Sequence, residues 1–225
     1  TGTFAGYANV AVDGVVNLTV QAGTGVYATG GQIKAESVGT HFRSITTTGD
    51  GSGDRLRVTH DYHPSSTPNL YQVDVKIENI GATTVGDLRY RRVMDWDIAP
   101  YTFNEWVEIH VGTATDVIRA HTDGFHSANP LSIFGPFVGS PPTTLVSGSP
   151  DYLSGASDQG ALFDFGFGSL APGASKSFKT YYVAAETRTA VRGAAALEPK
   201  LDRAALEAAF KDSRVVERAQ YDAIL

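Results

Sequence analysis

Apolar and polar residues alternate with a period of two along most of the chain before residue 186. The clearest run is "LYQVDVKIEN", residues 70–79, in which Val73, Val75 and Ile77 alternate with charged side chains. Because successive side chains of a strand point to opposite faces, this pattern predicts a half-buried antiparallel strand. Further segments with strand character are "VVNLTV", "GQIKAES", "HFRSITT", "DRLRVTHDYH", "WVEIHVG", "DVIRAHTDG", "ALFDFGFG" and "SKSFKTYYVAAE".

Strands at short, regular spacing without intervening helices are typical of β-sandwiches and barrels. The fold predicted here is all-β, an antiparallel β-sandwich of two layers. The turn "IGATT" separates residues 70–79 from "GDLRYRRVMDWDI", residues 86–98, and this arrangement predicts that the two runs form a hairpin. Likewise, "LAPGA" predicts a turn between the last two strand segments.

The pattern changes near the C-terminus, where Ala, Leu, Glu and Arg recur at helical spacing. Leu206, Ala209 and Phe210 would form one apolar stripe, and a second stripe ends at Ile224. The prediction is therefore a β-sandwich domain over residues 1–187 and a helical appendage over residues 188–225. The appendage would pack on the sandwich or on a partner chain.

The first segment, "TGTFAGYANVAVDGVVNLTV", is apolar and free of basic residues. Its backbone donors and acceptors must pair with another strand. Two arrangements are open: a first strand within its own sheet, or a strand that pairs with the sheet edge of a neighbouring subunit and so produces a homo-oligomer or filament.

Composition narrows the classes of function. Of 225 residues, 42% are hydrophobic and 19% charged, and the formal net charge is −6 at pH 7. The absence of a long basic run argues against nucleic acid as a partner. The sequence also lacks a run of about 18 apolar residues, which a membrane-spanning helix would need. Cysteine is absent, which excludes disulfides. A composition rich in Thr, Ser and Gly, with Thr1 first, favours a secreted chain without its leader, although a trimmed chain would begin in the same way.

The densest stretch is "YRRVMDWDIAPYTFNEW", residues 90–106. On a strand, Leu88, Tyr90 and Met94 would share the apolar face, with Arg92 as the exception. If the polar face met that of the following strand, a surface of charged and aromatic side chains would form, suited to sugar binding. The predicted ligand-binding residues are Arg89, Arg91, Asp95, Asp97, Glu105, Trp106, Glu108 and His110.

A structural network of ion pairs along the strands would show the same sequence pattern, and it is the alternative to a ligand surface. A carbohydrate-active enzyme that uses Asp95, Asp97, Glu105 and Trp106 is the other alternative. However, Asp95 and Asp97 are two residues apart on one strand face, whereas glycoside hydrolysis needs carboxylates on both sides of the scissile bond. No catalytic residue is assigned, and a non-enzymatic module is favoured.

Two segments could hold a metal. His60 and His63 in "THDYHPSSTPN" have a spacing that binds a metal when a third ligand arrives from elsewhere, but histidines near turns also cap backbone groups. Asp50 and Asp54 in "TTGDGSGDRL" resemble the start of a calcium loop. The distal acidic ligand of such a loop is missing, and Gly-Asp turns in hairpins look the same.

Three phrases resemble a β-rich module of large secreted or surface-anchored bacterial proteins: "LRVTHDYHPSSTPNLYQVDVKIENIG", "LRYRRVMDWDIAPYTFNEWVEIHVG" and "DQGALFDFGFGSLAPGASKSFKTYYVAAE". The resemblance covers residues 58–185, and the helical end from Ala194 departs from it. It implies an extracellular or cell-surface location, and no activity or catalytic residue. The expected function is thus an extracellular structural or binding module whose partner is a second copy of itself or a surface glycan.

Overall fold

The computed structural model describes residues 6–12, 15–22, 25–27, 33–49, 54–66, 70–95, 103–104, 106–123, 130–131, 144–155, 157–185 and 220–224. All regular elements within these ranges are strands, and none of these residues belongs to a helix with the length and apolar character of a membrane crossing. The strands are β1 (Gly6–Val12), β2 (Val15–Ala22), β3 (Gly25–Tyr27), β4 (Ile33–Val38), β5 (His41–Gly49), β6 (Asp54–Pro64), β7 (Leu70–Asn79), β8 (Val85–Asp95), β9 (Glu108–Ile109), β10 (Val117–His121), β11 (Tyr152–Leu153), β12 (Gly160–Leu170), β13 (Ser175–Ala185) and β14 (Gln220–Ile224).

The strands form two six-stranded sheets and a two-stranded ribbon. Sheet I has the order β10-β12-β8-β1-β2-β3, sheet II has the order β14-β13-β7-β6-β5-β4, and the ribbon pairs β9 with β11. Neighbouring strands are antiparallel in both sheets and in the ribbon. The prediction of an all-β antiparallel fold is confirmed.

Aromatic side chains join the facing surfaces of the two sheets. Tyr90 of β8 and Phe178 of β13 meet edge to face with ring centroids 5.1 Å apart, and Phe165 of β12 lies 4.7 Å from Phe178. Around them pack apolar residues of both sheets and of the ribbon region, including Leu56, Val58, Val75, Ile77, Leu88, Val107, Ile109 and Phe163. Residues of both sheets therefore contribute to one core, and the face of each sheet that contributes is called its inner face.

The alternation in residues 70–79 is confirmed, because Val73, Val75 and Ile77 are buried while Lys76 is exposed. The hairpin predicted from the same segment is wrong. Strand β7 pairs with β6 and β13 in sheet II, whereas β8 pairs with β1 and β12 in sheet I. Residues 80–84 thus carry the chain from one sheet to the other, and "LAPGA" makes a second such crossing between β12 and β13.

Asn79 connects the two crossings. Its side-chain nitrogen donates to the carbonyl oxygens of Thr83 at 2.9 Å and Leu170 at 2.8 Å, and its side-chain oxygen accepts from the Gly81 amide. Its backbone exchanges hydrogen bonds with Gly173 and Ala174. Because Asn79 is fully buried, these bonds satisfy polar groups that would otherwise be costly at the end of the core.

The region after β8 also departs from the prediction. Val107, Ile109 and Val111 do share a buried apolar side, but β9 pairs with β11 and does not meet the polar face of β8. Strand β10 pairs with β12 at the edge of sheet I. The partners of β9 and β10, which are β11 and β12, both lie later in the chain.

Strand β1 lies inside sheet I, between β2 and β8. Its register with β8 runs from Gly6 opposite Met94 to Val12 opposite Leu88. Both edges of β1 are therefore paired within the chain, which is the first of the two arrangements that the sequence left open.

The predicted C-terminal helical appendage is wrong for residues 220–224, which form β14 and pair with β13 from Tyr181 to Ala185. Residues 186–219, which hold the rest of the predicted helices, lie outside the described residues. Strand pairing with β13 overrides the helical spacing at this end, because it gives the backbone groups of both strands their hydrogen bonds.

Candidate ligand-binding site

The polar residues of β8 divide between its two faces. Arg91 lies opposite Asp164 of β12 on the outer face of sheet I, and Arg92 lies opposite Phe163 on the inner face. Arg89 shares the outer face and pairs with Asp87 at 3.1 Å. The predicted ligand residues Arg89 and Arg91 are thus on the same side of the strand as each other, and Arg92 is on the other.

Arg91 is fully buried in a network of ion pairs. Its Nε and Nη2 donate to the two carboxylate oxygens of Asp164 at 2.7 and 2.8 Å, and Arg119 of β10 donates to the same carboxylate at 2.8 Å. Burial lowers the pKa of Arg119; Asp164 opposes this, and repulsion from Arg91 adds to it. This bidentate hydrogen bond satisfies both oxygens of the carboxylate and fixes the register of the two strands. Arg91 therefore fits the structural network of ion pairs, which was the alternative to a ligand surface.

Glu108 and His110 lie together but away from β8. His110 Nδ1 is 2.9 Å from Asp151, and its Nε2 is 3.7 Å from Glu108. Glu108 has no exposed surface, whereas Trp106 keeps 38% of its surface exposed. A ligand cannot reach the Glu108 carboxylate directly, so this part of the predicted surface is a packed cluster beside an exposed indole.

The remaining predicted ligand residues give no side-chain geometry. Asp95 ends β8 opposite Gly160, and its side chain is outside the described part. Asp97 and Glu105 are outside the described residues altogether. Their role in ligand binding stays a prediction.

His60 and His63 do not converge. Both are on β6, three residues apart, so they point to opposite faces of sheet II. His60 is buried on the inner face and bonded to Tyr90, while His63 lies on the outer face, 3.5 Å from Asp74, with its ring stacked on His41 at 4.5 Å. A metal held by both histidines would need them on one side.

The calcium prediction falls mostly outside the described residues. Asp50 is not among them, and Asp54 begins β6 opposite Gly49, where β5 turns into β6. Where side chains are described, no group of three or more acidic, cysteine or histidine residues could hold a metal ion. A calcium site at Asp50 and Asp54 stays a prediction.

Arg92 occupies an unusual place between the sheets. Only 6% of its surface is exposed, its Nε donates to the Tyr182 hydroxyl at 2.7 Å, and its guanidinium lies 5.6 Å from the centre of the Tyr182 ring. Tyr62 and Tyr90 are near enough to interact electrostatically with Arg92. Among the side chains that the structure describes, no carboxylate pairs with Arg92, and its hydrogen bond and ring contact are both with Tyr182.

His60, on the inner face of sheet II, lies beside Tyr62 and Tyr90. Its Nε2 is hydrogen bonded to the Tyr90 hydroxyl at 2.9 Å, and its Nδ1 has no hydrogen-bond partner among the described residues. Burial, with a smaller contribution from repulsion by Arg92, lowers the pKa of His60 to about 3. The imidazole is therefore neutral at neutral pH and does not compete with Arg92 for an anion.

The ligand residues predicted on β8, Arg89 and Arg91, lie on its outer face, whereas Arg92 lies on the inner face. The useful signal was present: Arg92 is a charged residue at an apolar position of the alternation. A charge at such a position needs a partner or a function. Its contact with Tyr182 joins two strands that are far apart in the chain and has no signal in the sequence.

Comparison with known proteins adds no family to this description. A scan against protein-family models finds no match, and a search of curated proteins finds none.

Proposed function

We propose that this protein is a non-enzymatic extracellular binding module that holds an anionic ligand at Arg92. The fold proposed for it is a β-sandwich of sheets I and II, formed by strands within residues 1–187 together with β14. The aromatic contacts between the inner faces support that arrangement. The extracellular location rests on composition and on the resemblance to modules of surface proteins.

The observation that carries the proposal is the contrast between burial and charge at Arg92. A buried charge is normally paired, because the loss of hydration is costly. Among the described side chains, the guanidinium of Arg92 has one hydrogen bond, to Tyr182, and no carboxylate partner. An incoming anion would supply the missing countercharge and accept from the terminal nitrogens.

The surroundings of Arg92 suit binding rather than catalysis. His60 is neutral, with a pKa of about 3, and burial raises the pKa of both Tyr90 and Tyr62. None of these groups has a pKa near neutrality, where general acids and bases work best. The cluster can hold and orient an anion, and it offers no group poised to move a proton at neutral pH.

Nuclear magnetic resonance of arginine side chains tests the proposal. Acetate, sulfate or phosphate would be titrated into labelled protein at constant ionic strength, with chloride as the reference salt. The Arg92 Nε–H signal should shift and saturate with at least one anion, while the Arg91 signal stays constant because Asp164 already occupies its donors.

Two variants provide the controls. Arg92→Met should abolish the saturable response, and Arg89→Met, on the same strand but paired with Asp87 on the outer face, should leave it unchanged. A signal that moves only in proportion to salt, or equal binding by the Arg92→Met protein, would refute the proposal.

A further inference from the structure

The inner face of sheet II carries aromatic residues at the end where Arg92 lies. Phe42 of β5 is opposite Tyr62 of β6, and Tyr71 of β7 is opposite Tyr182 of β13. The alternation along each strand places all four on the inner side: Phe42 with Ser44, Tyr62 with His60, Tyr71 with Val73, and Tyr182 with Thr180. We refer to Phe42, Tyr62, Tyr71 and Tyr182 as the aromatic surface.

This aromatic surface is not covered as the rest of the inner face is. Phe42 is 51% exposed and Tyr71 is 62% exposed, whereas Val73 is only 3% exposed. Tyr62 and Tyr182 are partly buried, and Arg92 contacts Tyr182 from sheet I. The guanidinium therefore lies at the boundary between the closed core and an open row of rings.

Rings beside a single fixed cation define a ligand with two kinds of surface. Aromatic faces pack against apolar C–H surfaces, and a guanidinium binds a planar or tetrahedral anion through parallel hydrogen bonds. A sugar ring that carries a carboxylate or sulfate group presents both surfaces side by side. A neutral sugar would leave the charge of Arg92 unpaired, and a simple anion would leave the exposed rings in water.

Two unpaired polar groups lie directly behind the aromatic surface. Ser44 is opposite His60 in the adjacent strand, and Ser44 Oγ and His60 Nδ1 are buried without a hydrogen-bond partner among the described residues. Buried polar atoms are usually satisfied by protein or by ordered water. Because both atoms are buried, a ligand hydroxyl would reach them through a bridging water molecule.

On these grounds we infer that the ligand is an acidic saccharide, with its sugar ring on the aromatic surface and its anionic group on Arg92. This inference rests on the proposed function, since it names the ligand class of the same site. It is independent in its evidence, because the exposed rings and the unpaired Ser44 and His60 atoms play no part in the argument for an anion.

Calorimetry with four ligands tests the inference. They are an oligogalacturonate, its methyl ester, a sulfated oligosaccharide of similar length, and hexanoate as a carboxylate without a sugar ring. The oligogalacturonate or the sulfated sugar should bind at least about tenfold more tightly than the ester and hexanoate, as expected when a charged hydrogen bond and ring stacking both contribute. The tighter of the two identifies the anionic group.

Variants locate the binding surface. Phe42→Ala and Tyr71→Ala remove exposed rings, so both should fold, and each should weaken saccharide binding about 2- to 10-fold. Trp106→Ala is the matched control, because it removes an exposed aromatic side chain outside the aromatic surface. Loss of binding in the Trp106 variant, with the Phe42 and Tyr71 variants unaffected, would overturn the inference.

The outcomes separate the two proposals. If hexanoate binds as tightly as the acidic saccharides, the anion site stands and the saccharide is rejected. If the methyl ester binds equally well, Arg92 has no role in recognising the saccharide and the inference fails. If no anion binds in either assay, the proposed function fails first. If Arg92→Met instead converts an oligomer to a monomer in light scattering, the occupant is an acidic group of a second copy, and the saccharide is again rejected.

Discussion

Arg91 and Arg92 are neighbours on one strand, yet their surroundings are opposite. Arg91 is fully buried on the outer face of sheet I and its charge is met by the carboxylate of Asp164. Arg92 is buried on the inner face, where it donates a hydrogen bond to the Tyr182 hydroxyl and pairs with no carboxylate among the described side chains. The comparison shows that burial alone does not tell a structural arginine from one that can bind a ligand. What decides is whether the countercharge is already part of the fold.

The two arginines should also differ in their effects on stability and on ligand binding. A carboxylate that pairs with a buried arginine makes the fold depend on both groups, since loss of either leaves a charge without a partner. A buried arginine without a carboxylate is costly in the free protein, and that cost is recovered when an anion binds. Arg91 should therefore be important for stability, and Arg92 for binding.

The largest effect is expected from Asp164→Asn. This substitution leaves Arg91 buried without a countercharge and weakens the bond to Arg119, so unfolding in urea should show a loss of about 3–5 kcal/mol. Asp87→Asn is the control, because the exposed pair with Arg89 should contribute less than about 1 kcal/mol. Equal losses in the two variants would contradict the assignment of Asp164 as a buried partner.

Acid should destabilise the inner face through His60. In the unfolded chain histidine gains its proton near pH 6.5, but in the folded protein the pKa is about 3, so stability is complete above pH 6.5 and falls as the pH drops toward 3. The full contribution is on the order of 5 kcal/mol at about 1.4 kcal/mol per pKa unit. Melting curves at several pH values should show this slope, and His60→Gln should flatten it.

Asp61 allows the acid effect to be assigned to its source. Its pKa is lowered by hydrogen bonds from Arg43 and His41, which outweigh the opposing effect of burial, so its contribution is lost only below the normal range of aspartate. Asp61→Asn should therefore lower the melting temperature by a constant amount above about pH 4 and remove the further fall below it. The slope between about pH 4 and 6.5 is then due to His60. A slope in that range that persists in His60→Gln would mean that another group titrates.

A smaller effect is expected from Tyr182→Phe. The change removes the hydroxyl that accepts from Arg92 Nε and keeps the ring beneath the guanidinium. Because hydrogen bonds to charged groups contribute about 1.5–3 kcal/mol and this one is partly solvated, the expected loss in urea unfolding is about 1–2 kcal/mol. Addition of an anion that binds at Arg92 should restore part of the lost stability. If it restores none, the anion does not reach Arg92.

The smallest change in stability is expected from Arg92→Met. Replacement of an unpaired buried charge by an apolar side chain of similar length removes a desolvation cost together with one hydrogen bond, so the net change should lie within about 1 kcal/mol. Arg91→Met, compared in the same urea series, should lose several times more. If Arg92→Met were the more destabilising of the two, the contrast between the adjacent arginines would be wrong.

The alternation in residues 70–79 and 88–94 was sufficient to predict which side chains face the core. The direction of a strand side chain depends only on its position along the strand, which is a local property. The same reasoning identified Arg92 as the exception on an apolar face. It also separates His60 from His63, since an odd spacing puts two strand residues on opposite sides.

The pairing of strands could not be read in the same way. The turn at residues 80–84 has the composition of a hairpin, yet it joins two sheets, because the hydrogen bonds of Asn79 to Thr83 and Leu170 stabilise a crossing there. At the other end of the chain, helical spacing in residues 220–224 was overridden by pairing with β13. Local patterns state what a segment prefers and do not state which distant segment will be its neighbour.

The sequence by itself therefore determined an all-β protein, the buried faces of its main strands and the presence of one arginine where an apolar residue was expected. Only the tertiary structure decided that Arg91 meets Asp164, 73 residues later, and that Arg92 meets Tyr182, 90 residues later. The physical reason is that side-chain direction follows from backbone geometry within a strand, whereas a countercharge comes from the packing of distant strands. The same packing left Arg92 beside tyrosines and Arg91 beside a carboxylate.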